Sequence, residues 1–415
     1  MCGICGFTGY RQDQKTVIER MMKAIEHRGP DSEGSFCREK ITLGFRRLSI
    51  IDLEDGQQPM ESADGNLHIV FNGEIYDYKE LRAELEDFGI SFCTHSDTEV
   101  LINTIQQYGE KALDKLRGMF GFAVWNEQEQ SLMLARDFFG IKPVYYAEID
   151  GHFVFASEIK SILAFPGYER KVNQKALEQY LSFQYAPLEE TFFKGIYKLM
   201  PGHMLLYKNG NYEIKTYFKT KLTPGKWNRK TNMDQLRSQL AEILKDSVKH
   251  HMLSDVEVGA FLSGGVDSGY LASASGADQA FTVGFDEGDR YSEVNKAAKV
   301  AEKAGLKHHV KIISKQEFWD ALPDVMYHMD EPLGDASAVA LYFLSKEAAG
   351  HVKVVLSGEG ADELFGGYNI YREPEALKKV AWIPFVLRRA VRKLAAKLPD
   401  VKGRDFLIRA GMKVE

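Results

Sequence analysis

The hydrophobic pattern changes its grammar once along this chain, and that change constrains the fold more than any single motif. Through the first half, short apolar or alternating runs succeed one another: ITLGFRRLSII (41–51), LHIVFNGEIY (67–76), FGFAVWN (120–126), SLMLARD (131–137), PVYYAEI (143–149) and HFVFAS (152–157). Turn signals such as Asp64-Gly65 and Asp150-Gly151 punctuate them, which predicts hairpins and antiparallel sheets. Helical stretches are expected near 15–27, 78–88 and 98–115, the last beginning after Asp97. An α+β sandwich of antiparallel sheets flanked by helices fits this half.

From residue 233 strands and helices alternate instead. Helices are expected over 233–252, from 267, and over 291–305, 315–328 and 336–348, with strands at 256–262, 280–285, 308–313 and 353–357. Such alternation implies an α/β doubly wound parallel sheet with right-handed crossovers. Between the two patterns lies NGNYEIKTYFKTKLTPGKWNRKTN (209–232), polar and without sustained periodicity. The expected organisation is a first domain over 2–208, a linker over 209–232 and a second domain over 233–415. Two domains also suit 415 residues, because a single domain usually takes roughly 100–200.

A formal net charge of −6 gives no reason to expect a nucleic-acid partner. No run of about 18 apolar residues marks a membrane span, and the four cysteines, at 2, 5, 37 and 93, are too sparse for a secreted disulfide scaffold. A cytoplasmic protein with reduced thiols is expected. Residues 375–415 depart from the average, with eleven Lys or Arg against four Asp or Glu. Ile383, Leu387, Val391, Leu394 and Leu398 recur there at helical spacing with basic residues between them. The reading is an amphipathic helix covering a core, rather than a membrane-surface or nucleic-acid helix.

Two glycine-bearing turns in the second half carry chemistry. FLSGGVDSG (261–269) follows an apolar strand and opens a helix. Gly264 and Gly265 let the backbone turn and aim N–H groups at an anion, Ser263 and Ser268 add hydroxyls, and the helix dipole favours a phosphate. Asp267 would repel bare phosphate, so a bridging Mg²⁺ is expected. KVVLSGEGADELFGGY (353–368) repeats the strand-to-turn placement and supplies Glu359, Asp362 and Glu363. In a doubly wound sheet both turns fall at the carboxyl edge, where ligands bind.

The N-terminal MCGICG can be read in two ways. Cys2 and Cys5 have the C-x-x-C spacing of a redox pair or half a zinc site, although no second C-x-x-C exists to complete one. If Met1 is removed, Cys2 instead unites a thiol with a free α-amine, whose ordinary pKa of about 7.7–8.0 lets it act as base for its own nucleophile. In the same half Asn72 and Gly73 could serve an oxyanion, Arg47 a substrate carboxylate, and Asp97 a substrate ammonium or a helix cap.

These residues resemble known families. SGGVDS (263–268) is similar to the pyrophosphate loop of the ATP-pyrophosphatase (adenine nucleotide α-hydrolase) superfamily, and SGEGADELFGGY narrows the likeness to the asparagine synthetases. MCGICG, HRGPDSEG (27–34), RLSIID (47–52), NGEIYDY (72–78), SDTEV (96–100), GMFGFAVW (118–125), ARDFFGIKPVYY (135–146) and FASEIKSI (155–162) resemble the class II, N-terminal-nucleophile (αββα) glutamine amidotransferases.

The resemblance implies glutamine hydrolysis at Cys2, with Asn72 and Gly73 in the oxyanion hole. Arg47, Leu48, Ser49, Ile50, Ile51, Asn72, Gly73, Glu74 and Asp97 would bind L-glutamine. It implies ATP on Leu262, Ser263, Gly264, Gly265, Asp267, Ser268, Val283, Ser357 and Gly358, with Mg²⁺ on Asp267 and Asp362. Glu359 would assist formation of an aspartyl-adenylate, which ammonia passed through the protein converts to asparagine, AMP and pyrophosphate. Small-molecule substrates and a homodimer are expected. The family usually continues past SGEGADELFGGY, so the second half is expected to be incomplete at its C-terminus. The other readings are a glutaminase or nucleotide-binding protein without synthesis, and an amidotransferase with a different carboxylate acceptor.

Overall fold

A computed structural model describes residues 1–221, 232–286, 293–399, 401 and 403–412. The chain forms two compact units, Met1–Leu356 and Ser357–Glu415. The first unit holds twelve antiparallel strands: β1 (Gly3–Thr8), β2 (Ser32–Cys37), β3 (Ile41–Arg47), β4 (Met60–Glu61), β5 (Leu67–Ile75), β6 (Gly118–Asn126), β7 (Ser131–Arg136), β8 (Tyr145–Ile149), β9 (His152–Ala156), β10 (Ile196–Lys198), β11 (His203–Lys208) and β12 (Asn211–Thr216). They make two six-stranded sheets, ordered β10-β8-β9-β1-β3-β2 and β12-β11-β7-β6-β5-β4.

Period-two alternation assigns each side chain to a layer. Ile4 of β1 joins Val70, Ala123, Trp125 and Leu134 between the two sheets. Its neighbours Cys5 and Phe7 face the other way, onto Val17, Ile18 and Met21 of helix α1 (Gln14–Ala24). Ile69 and Phe71, flanking Val70, likewise turn outward onto helices α2 (Tyr78–Asp87) and α3 (Asp97–Tyr108). The result is helix, sheet, sheet, helix, with both faces of the central strands buried. Helices α4 (Ile159–Leu163) and α5 (Gln174–Phe183) complete this half.

The polar segment read as a linker begins with strand β12, which pairs along its length with β11. Tyr212 and Ile214 provide the alternation, too brief to stand out in a 24-residue polar stretch. Residues 222–231 of that segment, and 291–292 at the start of one expected helix, lie outside the described residues.

The parallel-sheet half runs α6 (Met233–His251), β13 (Val258–Phe261), α7 (Val266–Ser275), β14 (Gln279–Phe285), α8 (Val294–Ala304), β15 (Lys307–Ile313), α9 (Lys315–Asp320), α10 (Leu322–Met329), α11 (Ser337–Ala349) and β16 (Val354–Leu356). Pro323, in the first turn of α10, divides what the pattern suggested was one helix over 315–328. All pairings are parallel and the order is β15-β14-β13-β16. The strand order therefore reverses between β13 and β16, the switch point where such sheets bind ligands.

The second unit contains α12 (Ala361–Phe365), α13 (Glu373–Lys378), α14 (Phe385–Ala395) and α15 (Arg404–Ala410). Arg388 of α14 donates to the Ala410 carbonyl at 3.0 Å. The expected core-covering face is not buried: Leu387 and Leu394 are 57% and 68% exposed, because α14 packs chiefly against the short α15. No helix among the described residues is long and apolar enough to cross a membrane.

One buried charge cluster joins the end of β9 to the end of α1 and to the segment after α10 of the parallel half. Glu158 accepts from Arg28 at 2.7 Å and meets His27 and Lys160, and Lys160 also reaches Asp330 at 3.0 Å. Burial alone would raise the Glu158 carboxyl, but His27, Arg28 and Lys160 outweigh it and hold the group well below the carboxylate range. A depressed folded pKa stabilises above the ordinary value of 4.5, and the contribution is lost as pH falls through the folded value. Glu158→Gln should cost about 3–5 kcal/mol, because it strands buried cations. A fall in thermal midpoint at neutral pH, with a weakened response of that midpoint to acidification below 4.5, is the expected observation.

Candidate active site

Cys2 precedes β1, the strand flanked by β3 and β9 near the middle of its sheet. The Arg28 Nε donates to the Cys2 carbonyl at 2.9 Å, and Arg28 is itself held by Glu158. The Leu48 N–H donates to Cys2 Sγ at 3.4 Å. Burial pushes the Cys2 thiol up, so the thiolate does not form unaided. Cys5 is on the opposite face of the strand in the α1 core, with its thiol pushed up to about 12 by burial. Three positions apart on a strand point to opposite faces, so the C-x-x-C spacing makes no redox or zinc pair here. All four cysteines are free.

A cavity of about 60 Å³ opens beside Cys2. Of the nine residues expected to bind glutamine, eight line it: Arg47, Leu48, Ile50, Ile51, Asn72, Gly73, Glu74 and Asp97. Ser49 is not on the wall, because its N–H donates outward to Asp31 at 2.8 Å. Met1 also lines the cavity. Its side chain is half exposed, but burial lowers its α-amine to about 5, and Lys142 Nζ donates to its sulfur at 2.9 Å.

Asn72 and Gly73 sit within β5, opposite Gly121 and Phe120 of β6, although Asn-Gly ordinarily marks a turn. The Asn72 side chain is 1% exposed, and its Nδ2 has no hydrogen-bond partner among the described residues. A buried, unpaired donor is costly in a folded protein, and one beside a nucleophile marks a place for an incoming acceptor. Gly73 is required by space: a Cβ would lie 2.1 Å from the Met119 carbonyl oxygen.

Asp97 accepts from the Ile75 N–H at 3.0 Å, and burial raises its carboxyl to about 6. The cap of α3 is Ser96, which accepts from Thr98 N–H at 3.1 Å, so of the two expected uses of Asp97 the capping one falls away. Arg47 is committed differently from expectation. Its guanidinium donates to the carbonyls of Leu53, at 3.2 Å, and Asp52, fixing the loop that follows β3.

Among the wall residues that sequence reasoning missed, Gln58 and Lys142 carry the clearest roles. Gln58 bridges the Phe71 N–H, at 2.6 Å, and Thr98 Oγ1, at 3.1 Å, so it locks β5 to α3. Lys142 is 4% exposed; burial drives its ammonium down while burial drives Glu74 up, and each charge partly restores the other. No local spacing announces either residue, since their partners come from distant segments.

At the carboxyl end of β13 the second set of residues forms one turn. Ser263 Oγ and Ser268 Oγ lie 2.9 Å apart, and the Gly265 N–H donates to Ser263 Oγ at 3.3 Å. Gly264 has φ +77°, and a Cβ there would meet Lys296 Cβ at 2.7 Å, so both conformation and space demand glycine. Gly265 caps α7, with Asp267 in its first turn and exposed. Buried Leu262 bonds its N–H to Phe281 at 2.9 Å, and half-buried Val283 lies two residues further along β14. Ser357, Gly358, Glu359 and Asp362 belong to the second unit. There the Ser357 hydroxyl accepts from Glu359 N–H at 3.4 Å, and the Asp362 carbonyl from Gly367 N–H at 2.9 Å.

The family model for a glutamine amidotransferase domain matches residues 1–218, and that for asparagine synthase matches 239–409. Asparagine synthetase [glutamine-hydrolyzing] 1 of Bacillus subtilis is 44% identical over 98% of this chain and 66% of its own length. A Mycobacterium tuberculosis chain named provisionally for the same activity is 38% identical over 100% of this chain and 68% of its own. The chain thus spans about two thirds of the length of the curated relatives it matches. Among solved structures, the glutamine phosphoribosylpyrophosphate amidotransferase of B. subtilis aligns at TM-score 0.40 and 17% identity over 74% of this chain and 65% of that one, too low to carry a conclusion. With both halves matched in order, the chain belongs to the glutamine-hydrolysing asparagine synthetase family.

Proposed function

We propose that the chain catalyses glutamine-dependent synthesis of asparagine from aspartate and ATP, releasing glutamate, AMP and pyrophosphate. The observation that carries the glutaminase half is the unpaired Asn72 Nδ2 in the cavity beside Cys2. With Met1 removed, the Cys2 α-amine takes the thiol proton while sulfur attacks the side-chain carbon of glutamine. An α-amine with an ordinary pKa of about 7.7–8.0 is partly neutral near pH 7, so a base is available. Asn72 Nδ2 and the Gly73 backbone receive the oxyanion. The amine returns its proton to the departing nitrogen, ammonia leaves, and water cleaves the thioester to glutamate. Asp97 holds the substrate ammonium, and Leu48, Ile50, Ile51 and Glu74 shape the pocket.

The turn at 263–268 fits a phosphate chain: paired serine hydroxyls, a glycine no side chain can replace, and a ten-residue helix starting at Gly265. ATP as substrate would lie on Leu262, Ser263, Gly264, Gly265, Ser268 and Val283, with Asp267 toward Mg²⁺, which supplies charge neutralisation of pyrophosphate. In the second unit, Ser357, Gly358, Asp362 and Glu359 carry the nucleotide, metal and adenylate roles that the family resemblance implies. Ammonia passes between the two chemistries inside the protein. A homodimer and a cytoplasmic location belong to the same reading.

Purified protein given ATP, aspartate and glutamine should yield asparagine and AMP in equal amounts; glutamate without AMP would leave only a glutaminase. Intact mass should show loss of Met1 and one adduct from a glutamine-analogue electrophile, absent in Cys2→Ala. An adduct on Cys5, or reaction with Met1 retained, refutes the proposed nucleophile.

Asn72→Ala should lower glutaminase kcat about 10²- to 10³-fold with little change in KM, measured as glutamate release. Asp97 must be ionised to hold an ammonium, and its carboxyl is raised to about 6. The KM for glutamine should therefore rise roughly tenfold per pH unit below that point, and Asp97→Asn should abolish the pH dependence along with tight binding.

A further inference from the structure

Two imidazoles and a carboxylate converge in the parallel-sheet half, away from both candidate chemistries. His309 stands on β15, Glu347 in the last turn of α11, and His351 one helical turn beyond Glu347. One ligand-capable atom of each lies within 4.8 Å of the others. The two imidazole centroids are 4.0 Å apart, and His351 Nε2 is 3.7 Å from the Glu347 carboxylate.

The surroundings prepare His309 for ligation. Its ring lies flat on buried Phe281, with centroids 5.0 Å apart and planes at 17°. Gln279 Nε2 donates to Glu257 at 2.6 Å, which turns its Oε1 toward His309 Nε2 at 2.8 Å. That oxygen can only accept, so Nε2 carries the ring proton and Nδ1 keeps the lone pair. A ring N–H fixed by an outer acceptor is the usual support of a metal-binding histidine.

We propose that His309, Glu347 and His351 bind one divalent ion of the zinc class through two imidazole nitrogens and one carboxylate oxygen. Imidazole and carboxylate donors suit zinc, and three protein ligands leave the fourth position to water. His309 is near the start of β15, His351 precedes β16, and Gln279 opens β14, so the cluster lies at the amino edge of the parallel sheet. The SGGVDS turn is at the opposite, carboxyl edge. A bound ion would clamp the end of α11 to β15, elements of the same compact unit.

The test uses the full chain, stripped with chelator and titrated with Zn²⁺ alone by calorimetry, with metal content checked by atomic absorption. One equivalent should bind and raise the thermal midpoint. His351→Ala and His309→Ala should each abolish stoichiometric uptake, and Gln279→Ala should weaken it about 10- to 100-fold. Cys2→Ala should bind as the unaltered chain does. Because His351 is exposed, His351→Ala should keep the fold, and it decides the matter if His309→Ala does not. Co²⁺ in place of zinc should give a spectrum without a thiolate charge-transfer band. Less than one equivalent, uptake that survives His351→Ala, uptake lost in Cys2→Ala, or a thiolate band would each overturn the assignment.

Discussion

The loop from Leu48 to Asp52 is held from two directions, and the arrangement of the cavity depends on it. From the antiparallel side, Arg47 gathers the Asp52 and Leu53 carbonyls, and the Leu48 N–H reaches Cys2 Sγ. From the parallel side, Asp255 accepts from Asp52 N–H at 2.8 Å and returns its own N–H to the Ile50 carbonyl at 3.0 Å. The Ser49 N–H goes to Asp31, which pairs with Lys353 at 2.6 Å, one residue before β16. An irregular loop lining a cavity must place its backbone polar groups somewhere, and here the two halves of one unit share them. The Lys353–Asp31 pair is partly exposed and contributes little stability alone. Its effect is registration: the wall of the cysteine cavity and the start of a parallel strand cannot shift independently.

Burial distributes charge differently in two neighbouring places. Around Glu158 the Arg28 guanidinium, the Lys160 ammonium and a hydrogen bond from His27 outweigh desolvation, so the group stays ionised. That cluster then positions Arg28, and through it the Cys2 carbonyl. Within the cavity the balance is the reverse: Asp97, Glu74 and Lys142 are all shifted toward their neutral forms, with desolvation as the largest cause in each. A rigid, fully charged support beneath a cavity of easily titrated groups is the pattern expected where ligand charge completes the electrostatics.

Much of this was legible in sequence because period and turn chemistry are local. Each expected strand of the first half is found within a few residues, and the switch to alternating strands and helices locates the parallel sheet. What local pattern could not supply are choices made by distant partners. The committed guanidinium of Arg47 depends on where the next loop folds, and Gln58 and Lys142 gain meaning only when β5, α3 and the N-terminus converge. Ser96 rather than Asp97 caps α3 because the Asp97 carboxylate is already engaged by Ile75. Strand β12 was obscured by its polar surroundings, and the apolar face of α14 suggested a core that its packing does not provide.

The two readings of MCGICG are separated by geometry and then by electrostatics. Strand alternation puts Cys5 into the helix-facing core, so Cys2 has no thiol partner and must be activated by something else. Desolvation acts on a thiol and an amine in opposite directions: it raises the Cys2 thiol and, in the chain that retains Met1, lowers the Met1 α-amine. Both shifts favour the neutral pair over a preformed thiolate and ammonium. On the proposed mechanism the proton therefore moves during attack, not before it, and the resting nucleophile is protected from oxidation, which requires thiolate. The charge that burial forbids in the resting site appears only when substrate arrives, where the unpaired Asn72 Nδ2 stands ready to receive it.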